Sequence, residues 1–197
     1  AIGSLGHTEA TLREARTGFE KGIGHVTHLY NAMRGLHHRE PGALGAVFMD
    51  HAVSAQLIAD GVHVHPEVLR WTALVLSLES LVLITDALPS AGLPDGRYAY
   101  DGRPYESIQG TAWSRGEGQD DRLFGTTLLL DELVRRAMTH MGVSFPQAVA
   151  MASLNPARTL GMQKQFGELA PGRAADLAIW DASLQVRETI IAGKTVF

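Results

Sequence analysis

A short apolar segment that ends in polar residues places the tightest constraint on how this chain folds. Residues 23–33 spell IGHVTHLYNAM, a β-branched run that carries His25 and His28 and leads to a polar tip. Such a run is typical of a buried strand. Successive strand side chains point to opposite faces, so the two histidines are not expected to share one metal ion. His28 lies at the carboxyl end, where α/β proteins place their sites, and is the better candidate ligand, while His25 is expected to pack.

The same pattern of strand, polar end and helix repeats on both sides of this segment. The chain opens with the end of a strand before His7, and residues 9–19 have the composition of a helix with Thr8 as its N-cap. Further strands are predicted at 52–59 and 80–85, with a helix between them at 66–77. This alternation predicts an α/β fold with a parallel sheet.

Four predicted strand ends carry side chains that can bind a metal ion or move a proton. They are His7, His28, His63 and Asp86. Equivalent strand ends of a parallel barrel lie on one rim, so His7 and His28, one βα repeat apart, are expected to meet there. Neutral imidazole is the commonest metal ligand, and catalytic zinc sites typically take three protein ligands and a water. Two histidines alone leave such a ligand set incomplete.

Asp86 and Arg39 each leave more than one interpretation open. Asp86 follows the apolar segment SLVLIT. It is a third metal ligand, a helix N-cap, or a base that takes a proton from metal-activated water and passes it to a leaving amine. Arg39 lies in a polar loop and is either a solvated surface charge or a bidentate partner for a carboxylate or phosphate. Asp86 acting as a base beside a metal would give the mechanism of an amide hydrolase.

Composition narrows the classes of partner and site. The chain has 197 residues, 45% of them hydrophobic, which is enough to bury a sizeable core. Its formal charge of −4 and lack of a basic tract argue against nucleic acid or an anionic membrane as partner. No apolar run approaches the roughly 20 residues of a membrane span. Cysteine is absent, so a transition-metal site must use His, Asp or Glu, and a cytoplasmic location fits.

The second half of the chain changes character twice. Residues 87–122 are rich in Gly, Pro, Tyr and charged residues, which predicts turns and a hairpin at 96–102 within an active-site cover or interface element. Helices are then predicted at 128–141 and 144–154, with a third beginning at 155. After residue 166, short strands at 168–169, 176–180 and 188–197 predict a small β module.

A series of motifs resembles the N-acetylglucosamine-6-phosphate deacetylase family of the amidohydrolase superfamily. In order, the motifs are GHT at 6–8, THLYNAM at 27–33, REPG at 39–42, ADGVHV at 59–64, LITDA at 83–87, LFGTTLLLDE at 123–132, ASLNPARTLG at 152–161 and GELAPGRAADLAIWD at 167–181. THLYNAM with REPG is specific, whereas the last motif resembles many amidohydrolases. The resemblance covers essentially the whole chain. It implies that residues 1–166 are the C-terminal half of a distorted (β/α)8 TIM-like barrel and that residues 167–197 supply strands of a small β-sandwich.

The resemblance also implies the activity and the site residues. His7 and His28 match the family's metal ligands, and Asp86 matches its catalytic acid/base. Matching substrate-binding positions are Asn31 and Ala32 at the sugar, Arg39 and His63 near the phosphate, and Asp60, Gly61, Val62, Leu123, Phe124 and Gly125 along the substrate. The implied reaction is hydrolysis of N-acetylglucosamine 6-phosphate to glucosamine 6-phosphate and acetate by a homodimer. The implied cofactor is a divalent metal ion, with zinc favoured and iron, manganese or cobalt as alternatives.

One element of the family pattern has no counterpart in this sequence. The family completes its metal site with a glutamate from the first half of the barrel, whereas Glu9 and Glu14 fall in the helix after His7. We therefore expect these residues to be the C-terminal half of a longer protein. The alternatives are an amidohydrolase with another substrate, such as a cyclic amide or a different N-acetyl sugar, and a non-catalytic barrel fragment.

Overall fold

A parallel sheet of four strands forms the centre of the molecule, which we describe from a computed structural model over residues 1–114 and 122–197. Its strands are β1 (Gly3–Leu5), β2 (Ile23–Val26), β3 (Ser54–Leu57) and β4 (Leu81–Leu83), hydrogen-bonded in that order. The connecting helices are α1 (Leu12–Glu20), α2 (Gly42–Met49) and α3 (Pro66–Val75). The predicted α/β class with a parallel sheet is confirmed. All four carboxyl ends lie at one edge of the sheet, because every pairing is parallel.

The first helix begins later than its sequence indicated. Its N-cap is Thr11, not Thr8, because Thr11 and Glu14 form a capping box. The Glu14 carboxylate accepts the Thr11 N–H at 2.9 Å, and the Thr11 hydroxyl accepts the Glu14 N–H at 3.3 Å. Two helix-end donors are thereby satisfied by one pair of residues. The Thr8 N–H is instead bonded to the carbonyl of Ala32 at 3.0 Å, so Thr8 helps to hold the polar tip after β2.

The core lies between the sheet and the helices. All three residues of β4 are buried, which is typical of a parallel strand covered on both faces. The helices that cover it are α4 (Leu130–Met141), α5 (Phe145–Ala152) and α6 (Leu154–Thr159). Asn155 ties α6 to the start of β4, since its side-chain amide donates to the carbonyls of Leu78 and Leu81 at 2.7 and 2.8 Å.

Two antiparallel sheets accompany the parallel one. The first contains β5 (Gly96–Tyr100), β6 (Arg103–Ile108), β7 (Thr111–Ser114) and β8 (Arg122–Thr126), so the single predicted hairpin is part of a four-stranded meander. Residues 115–121 of the predicted cover lie outside the described residues. The second sheet contains β9 (Leu177–Trp180), β10 (Val186–Ile191) and β11 (Lys194–Thr195), whereas residues 168–169 are not in a strand.

One side of the parallel sheet borders an open cavity of about 490 Å³. Side chains of β3 and β4, together with Ile2, His25 and Leu130, contribute to its lining. That the sheet is half of a (β/α)8 barrel, with a domain boundary after residue 166, stays a prediction. Within the two described ranges, no helix combines the length and apolar character needed to cross a membrane.

Candidate active site

Three strand ends at one edge of the sheet have unusual backbone conformations. His7 follows β1, His28 follows β2 and Asp86 follows β4, and their φ angles are +46°, +29° and +50°. A non-glycine residue held in the left-handed region costs about 1–3 kcal/mol, and such residues cluster at functional sites. The strain at these ends, which the parallel pairing places along one edge, points to function there.

His7 and His28 form a pair of imidazoles. Their ring centroids are 4.7 Å apart, and the ring planes are inclined by 59°. His28 is buried, and its Nδ1 atom has no hydrogen-bond partner within residues 1–114 and 122–197. Burying a polar nitrogen without a partner is costly, so an unpaired imidazole nitrogen facing a second imidazole is the arrangement that a metal ion would satisfy. The structure brings these two histidines together, as the sequence predicted.

The described part of the chain offers two candidate metal ligands and no third. No group of three His, Asp or Glu side chains lies close enough to hold a metal ion in residues 1–114 and 122–197. Asp86 is therefore not placed as a third ligand beside His7 and His28. Nor is it an N-cap, because no helix begins after it and Ala87 instead pairs with Thr126. The role of Asp86 as a catalytic base stays a prediction.

The end of β8 runs beside the backbone of Asp86. The carbonyl of Asp86 accepts the N–H of Thr126 at 3.0 Å. Gly125 has a φ of +138°, and a Cβ atom at that position would lie 2.6 Å from the Asp86 carbonyl oxygen. Only glycine fits such an approach without a shift of the backbone. Leu123 and Phe124 precede this contact in β8, so the structure places this predicted substrate-binding segment next to Asp86.

The polar tip after β2 is folded back on itself. The side-chain amide of Asn31 donates to the carbonyls of His28 and Leu29 at 3.2 and 3.3 Å. Ala32 has a φ of +50° and accepts the Thr8 N–H through its carbonyl. These contacts fix Asn31 and Ala32 beside His28, and their predicted contact with a sugar stays a prediction.

The loop after β3 contains a buried ion pair. His63 Nδ1 lies 2.6 Å from Oδ2 of Asp60. Oδ1 of Asp60 accepts the N–H groups of Val62 and His63 at 2.9 and 2.8 Å. Burial by itself raises the pKa of Asp60, but the His63 hydrogen bond and charge and the two N–H groups outweigh it and hold that pKa below its usual value. Gly61 completes the turn, with a φ of +80° and His140 packed where a side chain would stand.

The REPG segment has one exposed and one structural charge. Arg39 is exposed on a tight turn and has no ion-pair partner in the described ranges. The Glu40 carboxylate accepts the N–H groups of Leu12 and Gly42 at 2.8 and 3.1 Å, at the first turns of α1 and α2. These hydrogen bonds lower the pKa of Glu40. The role of Glu40 was missed from the sequence, although an acidic residue directly before a helix start is the signal for it.

Comparison with known proteins identifies the family. Residues 1–196 match the sequence model of the Amidohydrolase family. The chain belongs to the amidohydrolase family. Among its amidohydrolase relatives, the N-acetylgalactosamine-6-phosphate deacetylase of Escherichia coli O157:H7 is 41% identical over 190 residues, which cover 96% of this chain and 49% of that protein. The N-acetylglucosamine-6-phosphate deacetylase of Bos taurus is 38% identical over 199 residues, which cover 98% of this chain and 48% of that protein.

A solved amidohydrolase structure shares the architecture. It is an aspartate-to-alanine variant of N-acetyl-D-glucosamine-6-phosphate deacetylase from Mycobacterium smegmatis in complex with N-acetyl-D-glucosamine-6-phosphate. Its TM-score to this structure is 0.90 at 36% sequence identity, and the match covers 100% of this chain and 51% of that one. The chain therefore spans about half the length of these three proteins.

Proposed function

We propose that this chain is part of a metal-dependent amide hydrolase that removes the acetyl group from N-acetylglucosamine 6-phosphate. The observation that carries the proposal is the pairing of His7 with His28, whose buried Nδ1 is unpartnered, at the sheet edge that also carries Asp86. Relatives with this activity at 38% identity, and one solved in complex with the same sugar phosphate, support the substrate class.

We also propose that the parallel sheet is the C-terminal half of a distorted (β/α)8 barrel over residues 1–166, and that β9–β11 belong to a small β-sandwich. The open cavity beside the sheet supports this, because it is lined mainly by side chains that a barrel would bury. The relatives are about twice as long as this chain, which agrees with a second half elsewhere in the protein. The third metal ligand, a glutamate, would come from that half.

The proposed chemistry divides among a few residues of this chain. His7 and His28 would hold a divalent metal ion, for which zinc is favoured over iron, manganese or cobalt. Such an ion supplies Lewis-acid activation of the amide carbonyl and of the attacking water. Asp86 accepts a proton as water adds to the carbonyl carbon and delivers it to the nitrogen as the C–N bond breaks. The amine then leaves neutral, and the acetyl group is released as acetic acid, which loses its proton to the solvent to give acetate.

Binding of the substrate is assigned to the loops around this edge. Asn31 and Ala32 would contact the sugar from the tip after β2, and residues 123–125 would line it from β8. Arg39 and His63 would bind the phosphate, since the first presents an exposed guanidinium and the second keeps Nε2 free of hydrogen bonds within the described residues. Residues 60–62 shape the loop that carries His63.

The test of this proposal is Asp86→Asn in the complete natural protein. We expect unchanged metal content and thermal stability, with turnover reduced by about 10²–10⁴-fold because general acid–base catalysis is lost. Asp50→Asn is the matched control, since Asp50 accepts one backbone N–H in a turn remote from the sheet edge. Acetate release and elemental analysis are the measurements. Near wild-type turnover in Asp86→Asn would refute the assigned role, and absence of both metal and acetate release in the wild type would favour a non-catalytic fragment.

A second candidate substrate is N-acetylgalactosamine 6-phosphate, the epimer at C4. It is favoured by the relative from Escherichia coli O157:H7, whose identity of 41% exceeds the 38% of the Bos taurus protein. Comparing kcat/KM for the two sugar phosphates decides between them, and the higher value identifies the substrate. A cyclic amide hydrolysed faster than either would exclude both.

We further propose that the protein assembles as a homodimer in the cytoplasm. An exposed apolar patch on the outer helices supports self-association, since Met49, Trp71 and Leu74 are 69%, 40% and 79% exposed. Light scattering after size exclusion gives the mass directly. A monomer at micromolar concentration would contradict the proposal.

A further inference from the structure

The Asp60 carboxylate is buried and makes its hydrogen bonds within its own loop. Its side chain has no exposed surface, and the His63 side chain is 5% exposed. One carboxylate oxygen accepts two backbone N–H groups, and the other meets Nδ1 of His63. An ionised carboxylate in such a place needs hydrogen-bond donors, and three of them lie within its own loop. Because its side chain has no exposed surface, Asp60 does not present its carboxylate to a substrate, although its position in the ADGVHV motif matches a substrate-lining segment.

Helix α4 packs against the loop that contains Asp60 and His63. Nη1 of Arg136 donates to the carbonyl of Asp60 at 3.0 Å, and Nε of Arg136 pairs with Glu132 at 3.0 Å. His140 packs against Gly61. Burial and the charge of Arg136 lower the pKa of His140, while Asp60 raises it. The charged and titratable groups that α4 presents to the loop are thus Arg136, Glu132 and His140, and the loop is fixed on both sides.

We propose that Asp60 is a positioning residue that orients His63 and stabilises the form of its ring that binds the substrate phosphate. This inference rests on the function proposed above. Nδ1 of His63 is engaged by Asp60, so Nε2 is the only ring nitrogen left for a phosphate oxygen. Nε2 must carry a proton to donate to phosphate, and Nδ1–H is already held, so the bound ring is the doubly protonated cation. The negative charge of Asp60 balances that cation.

Asp60→Asn isolates this role because the loop dictates how the new amide must point. The backbone N–H groups of Val62 and His63 require an acceptor, so the amide oxygen faces them and the NH₂ group faces Nδ1 of His63. The ring must then accept at Nδ1 and carry its single proton on Nε2. It still donates to phosphate, but as a neutral ring. A charge-assisted hydrogen bond becomes an ordinary one while the shape of the loop is retained.

The experiment measures kcat and KM of the complete natural protein for N-acetylglucosamine 6-phosphate and for unphosphorylated N-acetylglucosamine. In Asp60→Asn we expect KM for the phosphorylated sugar to rise about tenfold, with kcat nearly unchanged and kcat/KM for the unphosphorylated sugar unaltered. The loss should therefore be confined to the phosphorylated sugar, which is the substrate that His63 is proposed to contact.

The matched control is Asp181→Asn. Asp181 likewise accepts two backbone N–H groups, from Ser183 and Gln185 at 2.8 and 3.0 Å, and pairs with a cation, but it lies in the turn between β9 and β10. Asp181→Asn should leave KM and kcat unchanged for both sugars. Melting temperatures of both variants report on folding.

Two outcomes would overturn the inference. One is an unchanged KM for the phosphorylated sugar in Asp60→Asn, and the other is an equal loss for both sugars, which would indicate a purely structural role. The proposed function fails separately, if the wild type does not prefer the phosphorylated sugar at all. A wild-type preference that Arg39→Ala removes and Asp60→Asn retains would refute the role of Asp60 alone.

Discussion

Gly125→Ala tests whether the close approach of β8 to Asp86 is required. The substitution adds one methyl group, and the structure places that carbon 2.6 Å from the carbonyl oxygen of Asp86. The obstacle is backbone, not a flexible side chain, so the conflict is relieved only by moving the paired segments apart. The hydrogen bond between the Thr126 N–H and that carbonyl, 3.0 Å long, would be disrupted in the process.

The expected loss of stability in Gly125→Ala is the sum of two free-energy costs. A non-glycine residue at the φ of +138° found here costs about 1–3 kcal/mol in backbone strain. Forcing an extra carbon into a filled space costs about 1–3 kcal/mol more. The sum is roughly 2–6 kcal/mol, and at about 2–4 °C per kcal/mol for a domain of this size the melting temperature should fall by roughly 4–24 °C. Turnover should also fall, because Asp86 moves with its carbonyl.

Gly22→Ala provides the matched control for this prediction. Gly22 has a comparable φ of +98°, but no atom lies within 4 Å of an added Cβ. Gly22→Ala therefore introduces the backbone strain without the steric clash. Calorimetry of both variants, with acetate release assayed in parallel, separates the terms. If Gly125→Ala melts at the same temperature as Gly22→Ala and keeps full turnover, the argument that the Asp86 backbone requires glycine opposite it is refuted.

Three further predictions concern the metal, the phosphate and pH. His28→Ala should lose bound metal by elemental analysis while His51→Ala, at an exposed position, retains it; equal metal content would contradict the ligand role. Arg39→Ala should raise KM for the phosphorylated sugar about 10–100-fold, because a charge-assisted contact is lost, with Arg16→Ala unaffected; an equal loss for the unphosphorylated sugar would contradict it. Burial lowers the pKa of His25 despite its hydrogen bond to Ser54. The folded state therefore resists protonation of His25, so the free energy of unfolding should reach its highest value above about pH 6.5 and decrease as pH falls below that value. His25→Asn, which keeps an amide partner for Ser54, should flatten that decrease in denaturant titrations of chelator-treated protein, and an unchanged slope would exclude His25 as its source.

Local patterns in the sequence were sufficient for the parallel sheet and for the pairing of two histidines. Apolar runs of strand length, each followed by a polar end and then a helix, repeat at a regular spacing. Parallel pairing then places equivalent strand ends side by side, so His7 and His28 could be brought together without coordinates. The N-cap of α1 was misassigned because Thr8 and Thr11 have the same intrinsic capping preference. Only the backbone partner of each decides, and Thr8 is bonded to Ala32 across the sheet edge.

The four-stranded meander was the largest feature underestimated from the sequence. Its strands have four to six residues, and turns of two residues join β5 to β6 and β6 to β7, so the pattern of alternating side chains is brief in each strand. The position of the meander beside the site also could not be predicted from the sequence, because the contact between β8 and Asp86 joins segments about forty residues apart. Loop positions such as Gly125 become interpretable only when the atom opposite them is known.

The sequence by itself determined the class of fold, the family and the identity of the candidate ligands, because these depend on residue type and spacing along the chain. Only the tertiary structure decided how individual polar atoms are used. It showed that Glu40 links two helix starts, that the carboxylate of Asp60 is hydrogen-bonded within its own loop, and that the carbonyl of Asp86 accepts the N–H of Thr126. The physical reason is that a hydrogen bond or a steric contact depends on the partner that folding brings within about 3 Å, and that partner is usually distant in sequence.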